Sequence, residues 1–118
     1  MRLTLIQFRM FTVEWRRLKL KDEDLQTLER KLLENPEAGD VMAGTGGLRK
    51  FRFAPPSLHR GKSGATRVCY AWYPEHQRIY LVMLYAKNDK GNLTSSERNE
   101  VRELLQRLSG SLSRGENP

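Results

Sequence analysis

Gly39-Asp40-Val41-Met42-Ala43-Gly44-Thr45-Gly46-Gly47-Leu48-Arg49-Lys50-Phe51-Arg52-Phe53 is the stretch whose reading decides the architecture of this chain. From Leu48 onward apolar and basic residues alternate with the two-residue period of a half-buried strand. Phe51 and Phe53 point one way; Leu48, Lys50 and Arg52 point the other. The glycines at 44, 46 and 47 let the chain turn tightly into that strand. They do not fit a P-loop, because no G-K-[ST] leads from them into a helix and the next element is a strand. A loop rich in Pro, Gly and basic residues follows, from Pro55 to Gly64, and ends at Arg67. Between Val41 and Pro74 there is no Asp or Glu, whereas Arg49, Lys50, Arg52, Arg60, Lys62 and Arg67 all fall in that window. A solvated face normally mixes both signs of charge, so this one-sidedness points to a docked polyanion. The plainer reading is a basic edge strand guarded against edge pairing.

Downstream, Thr66 to Tyr73 reads as a second strand, with Val68, Tyr70 and Trp72 on one side. Pro74-Glu75-His76-Gln77 reverses the chain, and Arg78 to Lys87 returns as a third strand. An unbroken alternation places Ile79, Leu81, Met83, Tyr85 and Lys87 on one face. Thr94 and Glu97 form a capping box, and Val101, Leu104, Leu105 and Leu108 follow at helical spacing. Residues 110–118 are polar and are expected to be a disordered tail.

Upstream, Leu3 to Phe8 reads as a strand. A helix with Thr12 as its N-cap carries Val13 and Trp15 and ends by Lys19 to Lys21. A second begins at Asp22, where Glu23 and Asp24 suit its positive end. Leu25, Leu28 and Leu32 mark its buried face, and Asn35-Pro36 stops it. The expected fold is α+β, one domain over residues 1–109. It has a small antiparallel sheet, the N-terminal strand plus a three-stranded meander, packed with an N-terminal helical hairpin as a lid and a C-terminal helix.

The 118 residues suffice for one domain with one modest core. A formal net charge of +7 favours nucleic acid, ribosome or acidic-protein partners over a neutral metabolite. The single cysteine fits a reducing compartment. No apolar run approaches the roughly 20 residues of a membrane span. Met1 to Phe11 is broken by Arg2, Gln7 and Arg9 and lacks a small-residue cleavage site, so it does not read as a signal peptide. The chain is expected to be soluble and cytoplasmic.

Cys69, His59 and His76 are the only soft or imidazole metal candidates, without C-x-x-C, H-x-x-x-H or an acidic cluster, so no metal is expected. Cys69 lies in an apolar strand, which suits a core residue better than a nucleophile. His59 and His76 fall at opposite ends of the sheet, too far apart for paired acid–base work. The cations and a tyrosine remain. In a meander, the end of the first strand, the start of the second and the end of the third share one edge. Lys50, Arg52, Arg67, Tyr85 and Lys87 can therefore converge, a set suited to phosphodiester chemistry. Arginine grips phosphate oxygens and stabilises charge developing on them. A lysine among other cations trades a proton more readily near neutrality. A tyrosine can stack on a base or, with its pKa lowered by cations, accept a proton.

At these residues the sequence resembles the HigB-type branch of the RelE/ParE toxin superfamily. The resemblance rests on Asn35-Pro36-Glu37-Ala38-Gly39-Asp40-Val41, Gly44-Thr45-Gly46-Gly47-Leu48-Arg49-Lys50-Phe51-Arg52, the Gly/Lys loop before Arg67, Tyr85-Ala86-Lys87-Asn88 and Leu93-Thr94. It spans roughly Phe11 to Leu108. It implies a compact α+β ribonuclease that enters the 70S ribosomal A site and cuts mRNA by 2'-hydroxyl attack on the adjacent phosphate, with no metal or other cofactor. It also implies a cognate helix-turn-helix antitoxin, contact with DNA only through that antitoxin, and no membrane. By position, Arg67 resembles the arginine that stabilises the transition-state phosphate, Lys87 the basic residue ending the last strand, and Tyr85 the nearby aromatic. Lys50 and Arg52 resemble the RNA-binding strand pair, with Arg49, Lys62 and Asn88 as further contacts. The chain departs from the pattern at Gly64-Ala65-Thr66, where a second glycine is usual, and at the insert Pro55-Pro56-Ser57-Leu58. The alternatives are a ParE-like gyrase inhibitor on the same fold and a basic binding module without activity.

Overall fold

In the computed structural model, which describes residues 2–58, 65–86 and 92–116, the alternating stretch forms β3 (Arg49–Phe53). It pairs antiparallel with β4 (Thr66–Tyr73), which pairs antiparallel with β5 (Arg78–Ala86). This is the expected meander. Two strands extend it. β1 (Thr4–Gln7) joins β5 in parallel, and the two-residue β2 (Asp40–Val41) joins β3 antiparallel. The sheet is therefore mixed, not antiparallel, with five strands in the order β1-β5-β4-β3-β2. A parallel pair needs a long crossover, and the helical hairpin between β1 and the meander supplies it.

α1 (Arg9–Arg17) starts three residues before the expected Thr12 cap. Phe11 and Trp15 are both buried and lie four apart, so they form one stripe only if Phe11 is already helical. Thr12 instead donates from inside the first turn to Gln7 Oε1 at 3.0 Å. Phe11, Trp15 and Phe53 stack in sequence, with centroids 5.5 and 6.4 Å apart, and pin α1 to the end of β3. α2 (Asp22–Glu34) buries Leu28 and Leu32 against the same side of the sheet. α3 (Ser95–Ser113) opens on the expected capping box, Thr94 Oγ1 accepting from the Glu97 amide at 3.1 Å. It runs beyond residue 109 because Leu112 continues the buried stripe of Val101, Leu105 and Leu108, so residues 110–113 are helical where a disordered tail was expected.

The sheet separates two cores. Val68, Tyr70, Ile79 and Leu81 pack with α1 and α2, while Cys69, Ala71, Tyr80 and Val82 pack with α3. Two polar latches fix the connections. The Tyr70 hydroxyl accepts from the Gly39 amide at 2.9 Å and donates to Pro36 O at 2.7 Å. Gly39 must lack a side chain, since a Cβ there would lie 2.9 Å from both Lys50 O and Tyr70 Cε1. Asp24 is fully buried and accepts from Ser57 N at 2.9 Å, Ser57 Oγ at 2.6 Å and Lys21 N at 2.8 Å. It ties α2 to a 3-10 turn at Pro56–Leu58. Burial works to raise its pKa, but the Ser57 hydroxyl and the Lys21 and Ser57 amides together hold it below the ordinary 3.8.

Replacing Asp24 by Ala is expected to cost about 1–3 kcal/mol in urea denaturation at neutral pH, because it strands the half-buried Ser57 and Lys21 amides. The folded pKa is lowered, so the carboxylate's contribution is complete above 3.8 and fades as pH falls through the folded value. The gap between wild type and variant should therefore close in acid.

Candidate functional site

Arg52 lies directly opposite Arg67, and Arg67 directly opposite Tyr85, so these residues form one row across β3, β4 and β5. Opposed residues in such a ladder are roughly 4.5–5.5 Å apart at Cα, so the row spans only about 10 Å. The row depends on a β-bulge. Cys69 pairs with Met83, but Tyr70 pairs with Leu81, leaving Val82 as the extra residue. The unbroken alternation expected for β5 therefore fails. Ile79 and Leu81 face the α1–α2 side, whereas Val82, Met83 and Tyr85 face α3. Without the inserted residue Tyr85 would point away from Arg67.

Two arginines side by side repel. Arg52 is exposed and Arg67 half-buried, and neither forms an ion pair among the described residues. Arg67 Nη1 is buried and has no hydrogen-bond partner among the described residues. A buried donor left unspent costs about 1–3 kcal/mol. Among the described residues, the fold thus carries an uncompensated electrostatic cost here.

Tyr85 is only 4 % exposed. Burial, reinforced by the Cys69 thiol, raises its pKa above 10.0 and outweighs the pull of Arg67 and Arg98. The expectation of a tyrosine with a lowered pKa is thereby corrected. The phenol is neutral, and its burial leaves no open ring face on which a base can stack.

Lys50 shares the face of Arg52 one pair further along, opposite Cys69. Arg49 takes the other face. Its Nη1 donates to Gly39 O at 2.8 Å and Glu37 O at 3.4 Å, so it braces the chain before β2 and does not join the row. Lys62, Lys87 and Asn88 lie outside the described residues, as does His59. His76 sits in the exposed β4–β5 turn. From Arg67 to that turn is seven residues of strand, about 23 Å. Cys69 is fully buried. Ala65, where a glycine was expected, is buried and needs no positive φ, so the departure there costs no backbone strain.

The glycine turn is structural. Gly44, Gly46 and Gly47 have φ of 75°, 75° and 110°. The buried Thr45 Oγ1 donates to Met42 O at 2.7 Å and accepts from the Leu48 amide at 3.1 Å. The reach of Arg98 to this turn is not legible in the sequence. Arg98 lies in the first turn of α3, and its Nη1 donates to Ala43 O at 2.6 Å. The capping box located its helix, but nothing in the sequence told which distant carbonyl it reaches.

Residues 4–114 match the family of the RelE toxin of the RelE/RelB toxin-antitoxin system. The chain belongs to the RelE toxin family. The fold agrees with that of the E. coli toxin RelE, solved as a mutant in its free state. That structure is 21 % identical, with a TM-score of 0.55, and the match covers 85 % of this chain and 97 % of that one. As a RelE-family toxin, the protein carries a mixed sheet, three helices and a cationic row facing α3. Among the described residues of this RelE-family chain, no helix is long and apolar enough to cross a membrane.

Alkaline difference titration of wild type against Tyr85→Phe should show one tyrosinate transition missing from the variant, and that transition should lie above pH 10.0. Because the folded pKa is raised, the neutral phenol's contribution to stability is complete below the unfolded value and is lost as pH rises through the folded one.

Proposed function

We propose that the protein is a ribosome-dependent mRNA endonuclease, a HigB-type toxin of the RelE family that acts in the cytoplasm. In this reading the RNA 2'-hydroxyl attacks the adjacent phosphorus and the 5'-oxygen departs with a proton. The products are a 2',3'-cyclic phosphate and a 5'-hydroxyl. No metal takes part.

The reading is supported above all by the adjacent Arg52 and Arg67, uncompensated among the described residues, with a buried donor on Arg67 that no described residue accepts. A phosphodiester gaining charge in its transition state is the ligand such a pair serves best. Arg67 is assigned to the non-bridging oxygens. Arg52 and Lys50 guide the strand, with Lys62 and Asn88 as further proposed RNA contacts. Lys87 is assigned to proton transfer at the edge where β5 ends. Tyr85, buried and neutral beside Arg67, is a positioning residue that orients the guanidinium. Arg49, bound to backbone carbonyls, is given no RNA contact. A helix-turn-helix antitoxin is the proposed partner, and the ribosome supplies the ordered mRNA.

Replacing Arg67 by Ala should reduce cleavage of ribosome-bound mRNA by about 10²–10³-fold, the usual cost of removing one preorganised donor. Primer extension after brief induction should show cuts within translated codons, and end analysis should show cyclic phosphate. Undiminished growth arrest by Arg67→Ala would contradict the assignment. Arrest without RNA cleavage, together with inhibited gyrase supercoiling, would favour a ParE-like activity.

A further inference from the structure

Arg98 does not belong to the cationic row, yet it ties together the two chain segments beside it. Its Nη1 donates to Ala43 O at 2.6 Å, and its Nε donates more weakly to Leu93 O at 3.5 Å. Ala43 opens the turn containing Gly44, Gly46 and Gly47. Leu93 closes the connection from β5 to α3, within which Lys87 and Asn88 fall. Met42 and Leu93 are buried in the same cluster as Tyr85. One helical turn on, α3 covers the glycine turn, where a Cβ at Gly46 would lie 3.5 Å from Arg102 Cγ.

Arg98 is half-buried and spends its donors on backbone carbonyls. It forms no ion pair among the described residues, so its charge is not cancelled. That charge pulls on the Tyr85 phenol alongside Arg67. A planar fork of donors can hold two carbonyls at once, and the compact lysine ammonium does so poorly.

We infer that Arg98 is a positioning residue of this site: it clamps the glycine turn to the chain entering α3 at Leu93, and so fixes the packing of Met42 and Leu93 around Tyr85 of the Arg67–Tyr85 row. The inference rests on the cleavage reading for its catalytic consequence but not for the clamp itself. The fold is carried by the two cores, so losing the clamp should loosen the loops and leave the sheet intact.

The test compares wild type, Arg98→Ala, Arg98→Lys and Arg67→Ala by two readouts. The first is hydrogen exchange followed by mass spectrometry. In Arg98→Ala, peptides covering residues 42–48 and 92–94 should exchange about tenfold faster while β4 and β5 stay protected. The second is single-turnover cleavage of ribosome-bound mRNA. Arg98→Ala should lower the maximal rate by about 10–100-fold, the scale of a misplacement near 1 Å, with the half-saturating ribosome concentration within about threefold. Arg98→Lys keeps the charge but not the fork, and should lose part of the rate and of the protection. Wild-type exchange in both segments would overturn the clamp. A raised half-saturating concentration with an unchanged maximal rate would also overturn it, marking Arg98 as an RNA contact instead. If Arg98→Ala does not fold, Arg98→Lys decides by the same criteria. If wild type cleaves nothing, the cleavage reading fails on its own, and the exchange measurement still decides the clamp.

Discussion

A strand residue faces one side of its sheet or the other, and one inserted residue exchanges the sides for everything beyond it. Val82 is that residue in β5. Before it, Ile79 and Leu81 complete the core under α1 and α2; after it, Tyr85 faces α3 beside Arg67. The same strand thus serves a packed core at one end and a charged row at the other. Regular alternation cannot do both, because a phase that suits Leu81 would turn Tyr85 into the wrong layer.

The two sides of the sheet carry different duties. The α1–α2 side is stacked and latched, through Phe11, Trp15 and Phe53 and through the buried Asp24 and Tyr70. Rigidity there fixes where β3 ends and where the loop before β4 departs. The α3 side is a core at its centre and a cationic row at one edge, with Arg52 and Arg67 opposed at about ladder spacing. Their repulsion is tolerated because the surrounding layers over-determine the backbone. An anion is the ligand that would lower this cost, which is why the proposed function places a phosphate there.

Much of this was readable in the residues. The period of Leu48 to Phe53, the capping box at Thr94 and Glu97, and the leucine spacing of α2 gave the meander, α3 and the hairpin, because each is a local signal. Arg67, Arg52 and Tyr85 were also placed at one edge, since a meander's connectivity dictates it. What the sequence does not show is non-local. The bulge depends on how β4 and β5 settle their packing, and no residue in Leu81-Val82-Met83 marks it. β1 chooses β5 as a neighbour through tertiary packing. Arg49 looked like its basic neighbours but is spent on the Gly39 and Glu37 carbonyls. The tyrosine's pKa was misjudged because nearby cations are visible in a sequence and the depth of burial is not. The role of Arg98 is hidden in the sequence because its partner, Ala43, lies 55 residues away.

The side of the sheet to which Tyr85 belongs can be read directly in solution. With the tyrosine ring and leucine and valine methyl groups isotopically labelled, nuclear Overhauser contacts from the Tyr85 ring should reach the α3-side cluster of Leu93, Val101 and Leu105. Contacts to Leu28 or Leu32 of α2 instead would place the ring in the opposite layer, and the shared row with Arg67 would not exist.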